Sequence, residues 1–238
     1  MKELQGKKVL VTGASRGIGK AIALHFGLAG ADVAVTARNR EDLTKVANEI
    51  SDLGGKCLVF PSNLRKPDSI TNLVQEVQNQ FESLDILVNN AGVGVWGPIS
   101  EISLAQYDEV FDVNMRAVFL LTQAVLPAMI ARKSGHILNI ASTSSRWAYA
   151  EGTAYCASKF AVLGFNEALA KELRTTGVRV TAVCPGQVNT YIGGSGPEDW
   201  EEDMLNGDDV AELALQAVTM PSHAIVTEMV VWPRGEAF

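Results

Sequence analysis

Tyr155-Cys156-Ala157-Ser158-Lys159 places a phenol and an ammonium four residues apart, so on a helix both lie on one face. A phenol with an ordinary pKa of about 10 is a poor acid–base group at neutral pH. A nearby ammonium favours the phenolate and lowers that value, which would make the pair a proton donor to a carbonyl. Spacing alone fits at least as well a partly buried tyrosine beside a lysine whose stem lies along apolar surface. Three hydroxyls, Ser142, Ser144 and Ser145, follow the apolar run from His136 to Ala141. Beyond the end of a strand in an open parallel sheet, a hydroxyl such as Ser142 is placed to hydrogen-bond a substrate carbonyl and its developing oxyanion. Spacing does not choose among the three.

A second chemical signal lies near the N-terminus, in Val11-Thr12-Gly13-Ala14-Ser15-Arg16-Gly17-Ile18-Gly19. Gly13 permits a tight turn, Gly17 lets a diphosphate approach the backbone, and Gly19 lets a helix and a strand pack closely. The helix that starts there offers free N–H groups and a partial positive charge to phosphates. Glycine is common in such loops, and the spacing G-x-x-x-G-x-G departs from the commoner G-x-G-x-x-G; its place after the first strand is what points to a dinucleotide. An acidic residue at the tip of the second strand would grip the ribose 2′-hydroxyl of NAD. The chain has Thr36-Ala37-Arg38-Asn39-Arg40 there, with no carboxylate. Arg38 and Arg16, otherwise solvated surface charges, suit a 2′-phosphate and hence NADPH.

The elements that must position these groups alternate along the chain. Strands are expected at Lys8–Thr12, Asp32–Ala37, Lys56–Phe60, Leu84–Asn89, His136–Ala141, Val178–Cys184 and Met229–Trp232. Helices are expected at Gly17–Leu28, Arg40–Leu53, Pro67–Phe81, Leu104–Arg132, Thr153–Thr175 and Asp208–Thr219. The first helix is expected to end at the Gly27 and Gly30 region. Strands such as Ile86-Leu87-Val88 are continuous apolar runs rather than alternating ones, as when both faces are covered. The pattern predicts an α/β Rossmann fold in one domain, a doubly wound parallel sheet with helices on both faces. Its seven strands are expected in the order 3-2-1-4-5-6-7. The irregular stretch 188–207 reads as a substrate lid.

Composition narrows the function. Of 238 residues, 47% are hydrophobic and 20% charged, and the net charge is −7. Nucleic acid is therefore not an expected partner, since phosphate binding needs a basic surface. Cys57, Cys156 and Cys184 cannot all pair, and a reduced, cytoplasmic protein is the simplest reading. No segment reads as a membrane span; 117–130 is interrupted by Thr122, Gln123 and Pro127 and reads as a buried helix. The N-terminus shows no apolar signal-peptide core. His25, His136 and His223 lack metal-site neighbours, and no cluster argues for a metal. Eight acids fall between Glu198 and Glu212 with no Lys or Arg among them, which leaves +1 for the rest of the chain. The charge thus concentrates in the lid and the helix after it, although Asp208 and Asp209 also suit a helix N-terminus.

Thr12-Gly-Ala-Ser-Arg-Gly-Ile-Gly19, Asn89-Asn90-Ala91-Gly92, Asn114, Ser142, Tyr155-x-x-x-Lys159 and Pro185-Gly186 occur in that order. In this the chain resembles the short-chain dehydrogenase/reductase family over nearly its whole length. The resemblance implies that Tyr155 protonates the carbonyl oxygen and that Ser142 orients it. Lys159 would bind the nicotinamide ribose and lower the pKa of Tyr155, and Asn114 would help hold a water that relays protons to Lys159. Residues 89–92 would support the sheet and touch the adenosine-side ribose through Asn90, Ala91 and Gly92, with Asn90 chiefly structural. Asn63, beside Leu64, takes the place where the family often has an Asp reading the adenine. Val188 and Thr190, after Pro185-Gly186, would hold the nicotinamide carboxamide. Ser15, Arg16, Gly17, Ile18 and Gly19 would form the diphosphate turn with Gly13, and Arg16 and Arg38 fall where NADPH-preferring members carry basic residues.

Trp96, Ser144, Trp147 and Tyr149, with Trp200 in the lid, would line a substrate pocket for a small, largely apolar ketone or aldehyde. Two other functions are implied. The chain also resembles a 3-oxoacyl-carrier-protein reductase of fatty-acid synthesis. Such enzymes dock an acidic carrier on basic residues, however, and here only Arg132, Lys133 and Arg174 lie near the corresponding helix ends. A non-catalytic NADP(H)-binding regulator typically lacks the tyrosine or lysine, and both are present. The resemblance further implies a homodimer or homotetramer built on the helices at 104–132 and 153–175. Ala117, Leu121, Ala124, Phe160, Leu163 and Leu169 are the apolar candidates for that contact or for packing on the sheet.

Overall fold

The computed structural model of the chain describes residues 2–192 and 204–235. The elements run β1 (Lys8–Thr12), α1 (Gly17–Leu28), β2 (Asp32–Thr36), α2 (Arg40–Asp52), β3 (Lys56–Val59), α3 (Pro67–Phe81), β4 (Ile86–Asn89) and α4 (Leu104–Phe111). A π-helical turn (Asp112–Arg116) joins α4 to α5 (Ala117–Arg132). Then come β5 (Gly135–Ile140), a 3-10 turn (Thr143–Ser145), α6 (Thr153–Glu172), β6 (Val178–Pro185), α7 (Gly207–Thr219) and β7 (Glu228–Val231). The seven strands form one sheet in the expected order, β3-β2-β1-β4-β5-β6-β7, every pairing parallel.

Alternation along the central strands divides the core in two. Val9 and Val11 of β1 and Val33 and Val35 of β2 join α1, α2 and α7 on one face. Leu10 and Ala34 join α3, α5 and α6 on the other. A strand with both faces covered has no polar positions to spare, which is why these runs are continuous in sequence. Each fully buried Leu, Ile or Phe contributes roughly 2 kcal/mol, and Leu10, Ile22, Phe26 and Leu87 are all of this kind.

Most element ends fall within one or two residues of expectation, the usual fraying of hydrogen-bonding ladders; α6 stops three residues early, at Glu172. Three differences are larger. The expected single helix 104–132 contains the π-turn, which carries Asn114 into the interior. The whole 29-residue path is long and apolar enough to cross a bilayer, contrary to the sequence reading. In the fold, however, Ala117, Leu121, Val125 and Met129 lie in the core. Gly27 does not end α1 but lies within it, where a Cβ would come 2.8 Å from Ile50 Cγ2; it is a packing glycine.

The helix faces proposed for subunit contact also separate. Ala117, Leu121 and Leu169 pack in the core and Leu163 against it, whereas Phe160 and Ala124 are exposed. Part of the expected lid lies outside the described residues, including Trp200 and the acids from Glu198 to Asp203. Its ends are joined by a parallel bridge between Val188 and Leu205. Cys57, Cys156 and Cys184 are free, and among the described residues no group of three or more His, Cys, Asp or Glu is placed to hold a metal ion.

His136 on β5 is buried, and Thr181 donates its hydroxyl to the Val226 carbonyl at 2.5 Å. The imidazole Nε2–H therefore donates to Thr181 Oγ1, at 2.8 Å, while Nδ1 has no partner. Burial holds its pKa down to about 3, with the Arg179 charge adding to the shift. Because the unfolded chain binds this proton near pH 6.5 and the folded chain does not, stability is full above pH 6.5 and falls as pH drops towards 3. Urea denaturation is expected to show a loss of about 2 kcal/mol between pH 6.5 and 4.5 from this group, and His136→Gln is expected to flatten that slope.

Candidate active site

All seven strands run the same way, so their carboxyl ends share one edge of the sheet, and a cleft of about 1140 Å³ opens along it. The loop after β1 forms one end. Gly13 (φ +65°) and Gly17 (φ +56°) occupy the left-handed region that glycine tolerates. A Cβ on Gly19 would fall 2.3 Å from Asn90 Nδ2 and 2.4 Å from Gly13 O, so helix and loop can be this close only with glycine there. Asn90 secures the turn: its Nδ2 donates to Thr12 O at 2.9 Å. Thr12 Oγ1 accepts the N–H groups of Asn90 and Ala91 at 3.0 and 3.1 Å.

The first turn of α1 has no side-chain cap and no acidic residue. Its open N–H groups therefore face the cleft as an anion site. Ser15, Arg16, Gly17, Ile18, Arg38, Asn63 and Leu64 line this end. Among the described residues neither Arg16 nor Arg38 forms an ion pair; the Arg16 guanidinium lies over the Tyr191 ring, 4.5 Å from its centroid. Thr190 packs over Gly17, and with Ala91, Gly92, Pro185, Gly186 and Val188 it lines the middle of the cleft. Two cations, an uncapped helix and a backbone that excludes Cβ atoms fit a dinucleotide with a 2′-phosphate.

Ser142, Tyr155 and Lys159 converge at the other end, from the loop after β5 and the first two turns of α6. Ser142 caps the 3-10 turn, its Oγ accepting the Ser144 N–H at 3.1 Å, and its hydroxyl lies against that of Tyr155. This selects Ser142 from the three serines: Ser144 lines the cleft, and Ser145 is buried with its hydroxyl unpartnered. Burial pushes Tyr155 up to about 12, with the Ser142 hydrogen bond pulling the other way.

Lys159, also buried, is pushed down to about 8 by loss of hydration. Its Nζ donates to the Ile140 carbonyl at 3.0 Å and stands 5.8 Å from the Tyr155 ring centroid. In the free protein the tyrosine's net shift is thus upward, and its causes are burial, the Ser142 hydroxyl, Tyr149 and Cys156. Desolvation of the phenol is the largest of these causes and outweighs the Ser142 hydrogen bond.

Asn114 does not line the cleft. Its amide donates to the Val93 carbonyl and to Ser158 Oγ, both at 2.9 Å, and its oxygen accepts the Val93 N–H at 2.9 Å. These bonds fasten the loop after β4 to α6. Trp96, Trp147 and Tyr149 do line the cleft. Residues not anticipated from sequence line it too. Trp232, from beyond β7, meets Trp147 edge to face at 5.1 Å, and Tyr191 and Arg65 close the rim. Apolar periodicity carries no signal for such distant pairings.

The parallel sheet with a cleft at its carboxyl edge, a glycine turn at one end and a Ser–Tyr–Lys group at the other marks a Rossmann-type α/β protein. Comparison with known proteins is specific. The family model described as short chain dehydrogenase matches residues 7–200. An uncharacterised oxidoreductase from Staphylococcus saprophyticus is 40% identical over 236 residues, 98% of this chain and 100% of its own. A solved metagenomic short-chain oxidoreductase in complex with NADP superposes with a TM-score of 0.88 at 37% identity, covering 98% of this chain and 100% of that one. An alcohol dehydrogenase from the archaeon Thermococcus sibiricus, complexed with 5-hydroxy-NADP, gives 0.92 at 29% identity, covering 97% and 98%. The chain belongs to the short-chain dehydrogenase family and is an oxidoreductase of that family.

Proposed function

We propose that the protein reduces a ketone or aldehyde to the alcohol with NADPH, a reversible hydride transfer on a small, largely apolar substrate. The observation that carries this reading is the meeting of the Ser142 and Tyr155 hydroxyls in the same cleft as the uncapped N-terminus of α1. NADPH, when bound, supplies the hydride to the carbonyl carbon. Tyr155 gives its proton to the carbonyl oxygen, and its raised pKa keeps that proton in place at neutral pH. Ser142 donates to the same oxygen as negative charge gathers there. Lys159 would hold the nicotinamide ribose, and Trp96, Ser144, Trp147 and Tyr149 would shape the substrate end. Two NADP-bound structural relatives support the cofactor.

Arg16 and Arg38 are assigned to the 2′-phosphate. Arg38→Asp is expected to lower the NADPH-to-NADH ratio of kcat/KM by about 10- to 100-fold, the range for losing a charge-assisted pair. An unchanged ratio removes Arg38 from this role. A carrier-protein substrate is the second reading. Against it, Arg132, one of the few basic residues near the helix ends, donates its guanidinium to the Leu84 carbonyl at 2.8 Å and is held in the protein's own fold. The test is NADPH oxidation against a panel of simple ketones and aldehydes and against acetoacetyl carrier protein. Turnover of the simple carbonyls supports the proposal, a large preference for the carrier substrate reverses it, and NADPH binding with no turnover of either leaves a non-catalytic binder. A homodimer or homotetramer is proposed through the exposed parts of α5 and α6, where Phe119 and Phe160 lie.

A further inference from the structure

Two loops cover the Tyr155 end of the cleft, residues 90–97 after β4 and 146–152 before α6, and they are tied together twice. The Gly97 N–H donates to the Glu151 carbonyl at 2.9 Å. Glu151 itself stands at φ +65°, a conformation side-chain-bearing residues rarely adopt and one that persists only where surroundings enforce it. The second tie is between side chains: the Trp96 indole N–H donates to the Tyr149 hydroxyl at 2.9 Å.

Each ring rests on a glycine. A Cβ on Gly94 would come 2.1 Å from Trp96 Cη2, and one on Gly152 would come 2.5 Å from Tyr149 Cε2. Both rings are therefore already pressed to backbone and have no further to retreat. On its other side Trp96 meets the Tyr155 ring at 5.3 Å between centroids, tilted by 37°.

We infer that the Trp96–Tyr149 hydrogen bond is a crossbar that fixes the width of the substrate slot. It selects carbonyls bearing one flat group and one small group over those branched beside the carbonyl. This rests on the carbonyl-reductase reading above. A flat aryl or conjugated substituent slides against the cleft-lining edge of the indole and gains an edge-to-face aromatic contact there. A branched substituent needs depth that becomes available only when Trp96 swings outward, which leaves the indole N–H and the tyrosine hydroxyl without each other.

The test uses NADPH with acetophenone as the flat probe and tert-butyl phenyl ketone as the branched one, on the wild type, Trp96→Phe, Tyr149→Phe and the double variant. Each single change is expected to raise the branched-to-flat ratio of kcat/KM about tenfold, and the double variant no further, since either substitution removes the same bond. An unchanged ratio, or additive effects, overturns the crossbar. A second measurement stands apart from turnover. In NADP+-loaded protein the Trp96 indole proton, assigned by its loss in Trp96→Phe, is followed by NMR. It is expected to shift in Tyr149→Phe and on adding acetophenone, and to stay in place on adding tert-butyl phenyl ketone. No response to acetophenone, or equal response to both ketones, overturns the inference even if carbonyl turnover is intact; a selective response with no turnover of any carbonyl upholds it and sinks the activity reading alone.

Discussion

Tyr155→Phe is expected to lower kcat for carbonyl reduction by about 10³-fold, within the range for loss of a positioned general acid, with NADPH affinity little changed. The phenyl ring keeps the contact with Trp96 at 5.3 Å, and the glycine turn that receives the diphosphate lies at the other end of the cleft. What disappears is one proton held beside Ser142. In the free protein that hydroxyl titrates near 12, so the wild-type acid is loaded at neutral pH and the variant has nothing to substitute for it. Steady-state rates with NADPH, and cofactor titration by fluorescence, separate the two effects. Near-full rate in the variant would remove Tyr155 from the mechanism.

Lys159→Met carries the second large effect, expected in two observables. Carbonyl reduction is expected to fall by roughly 10²-fold or more, as for removal of a group that orients reacting partners. Stability of the cofactor-free protein is expected to lose one part of its pH dependence. Lys159 titrates near 8 in the folded chain against 10.5 unfolded. Between those values the unfolded chain holds the proton and the folded chain does not. Stability of the wild type therefore rises with pH across that window, by about 3 kcal/mol in all.

Tyr155 acts in the opposite sense from pH 10 to about 12, where the folded chain keeps a proton that the unfolded chain has lost. Cys57 and Cys184, whose thiols burial pushes up from 9 to about 12, act in that same opposite sense from pH 9, so the clean window for Lys159 is pH 8 to 9. Thermal melts there are expected to show Tm rising with pH in the wild type against a flatter profile in the variant. Equal slopes would mean that the ammonium is better hydrated than its burial implies.

The parallel direction of the strands was legible because a sheet covered on both faces needs uninterrupted apolar runs such as Val9-Leu10-Val11 and Ile86-Leu87-Val88; their order followed from the βα alternation and the family resemblance, not from those runs. The glycine turn was legible because its φ values and close approaches leave no other residue type possible at Gly13 and Gly19. The π-turn at Asp112–Arg116 was hidden, since a change of hydrogen-bond register leaves apolar periodicity almost untouched. Tyr155–Lys159 spacing gave the helical face but not the net upward shift that burial gives the tyrosine's pKa in the free protein. The sign depends on how much water the surrounding chain removes, and residues as distant as Trp96 decide that. Trp232 at the cleft, and the bond between Trp96 and Tyr149, depend on loops far apart in sequence meeting at one sheet edge.

The clip formed by Thr12 and Asn90 has a consequence for how the protein is made. Thr12 Oγ1 donates to the Val88 carbonyl, 76 positions along the chain, and β1 lies between β2 and β4. A nascent chain that has emerged only through β3 has its glycine turn in sequence but lacks the amide that locks it. Contacts this distant in sequence form late, after long loops have closed. Recovery of cofactor binding during refolding is thus a readout of the central strand pairing, and no N-terminal fragment ending before residue 90 is expected to bind the dinucleotide.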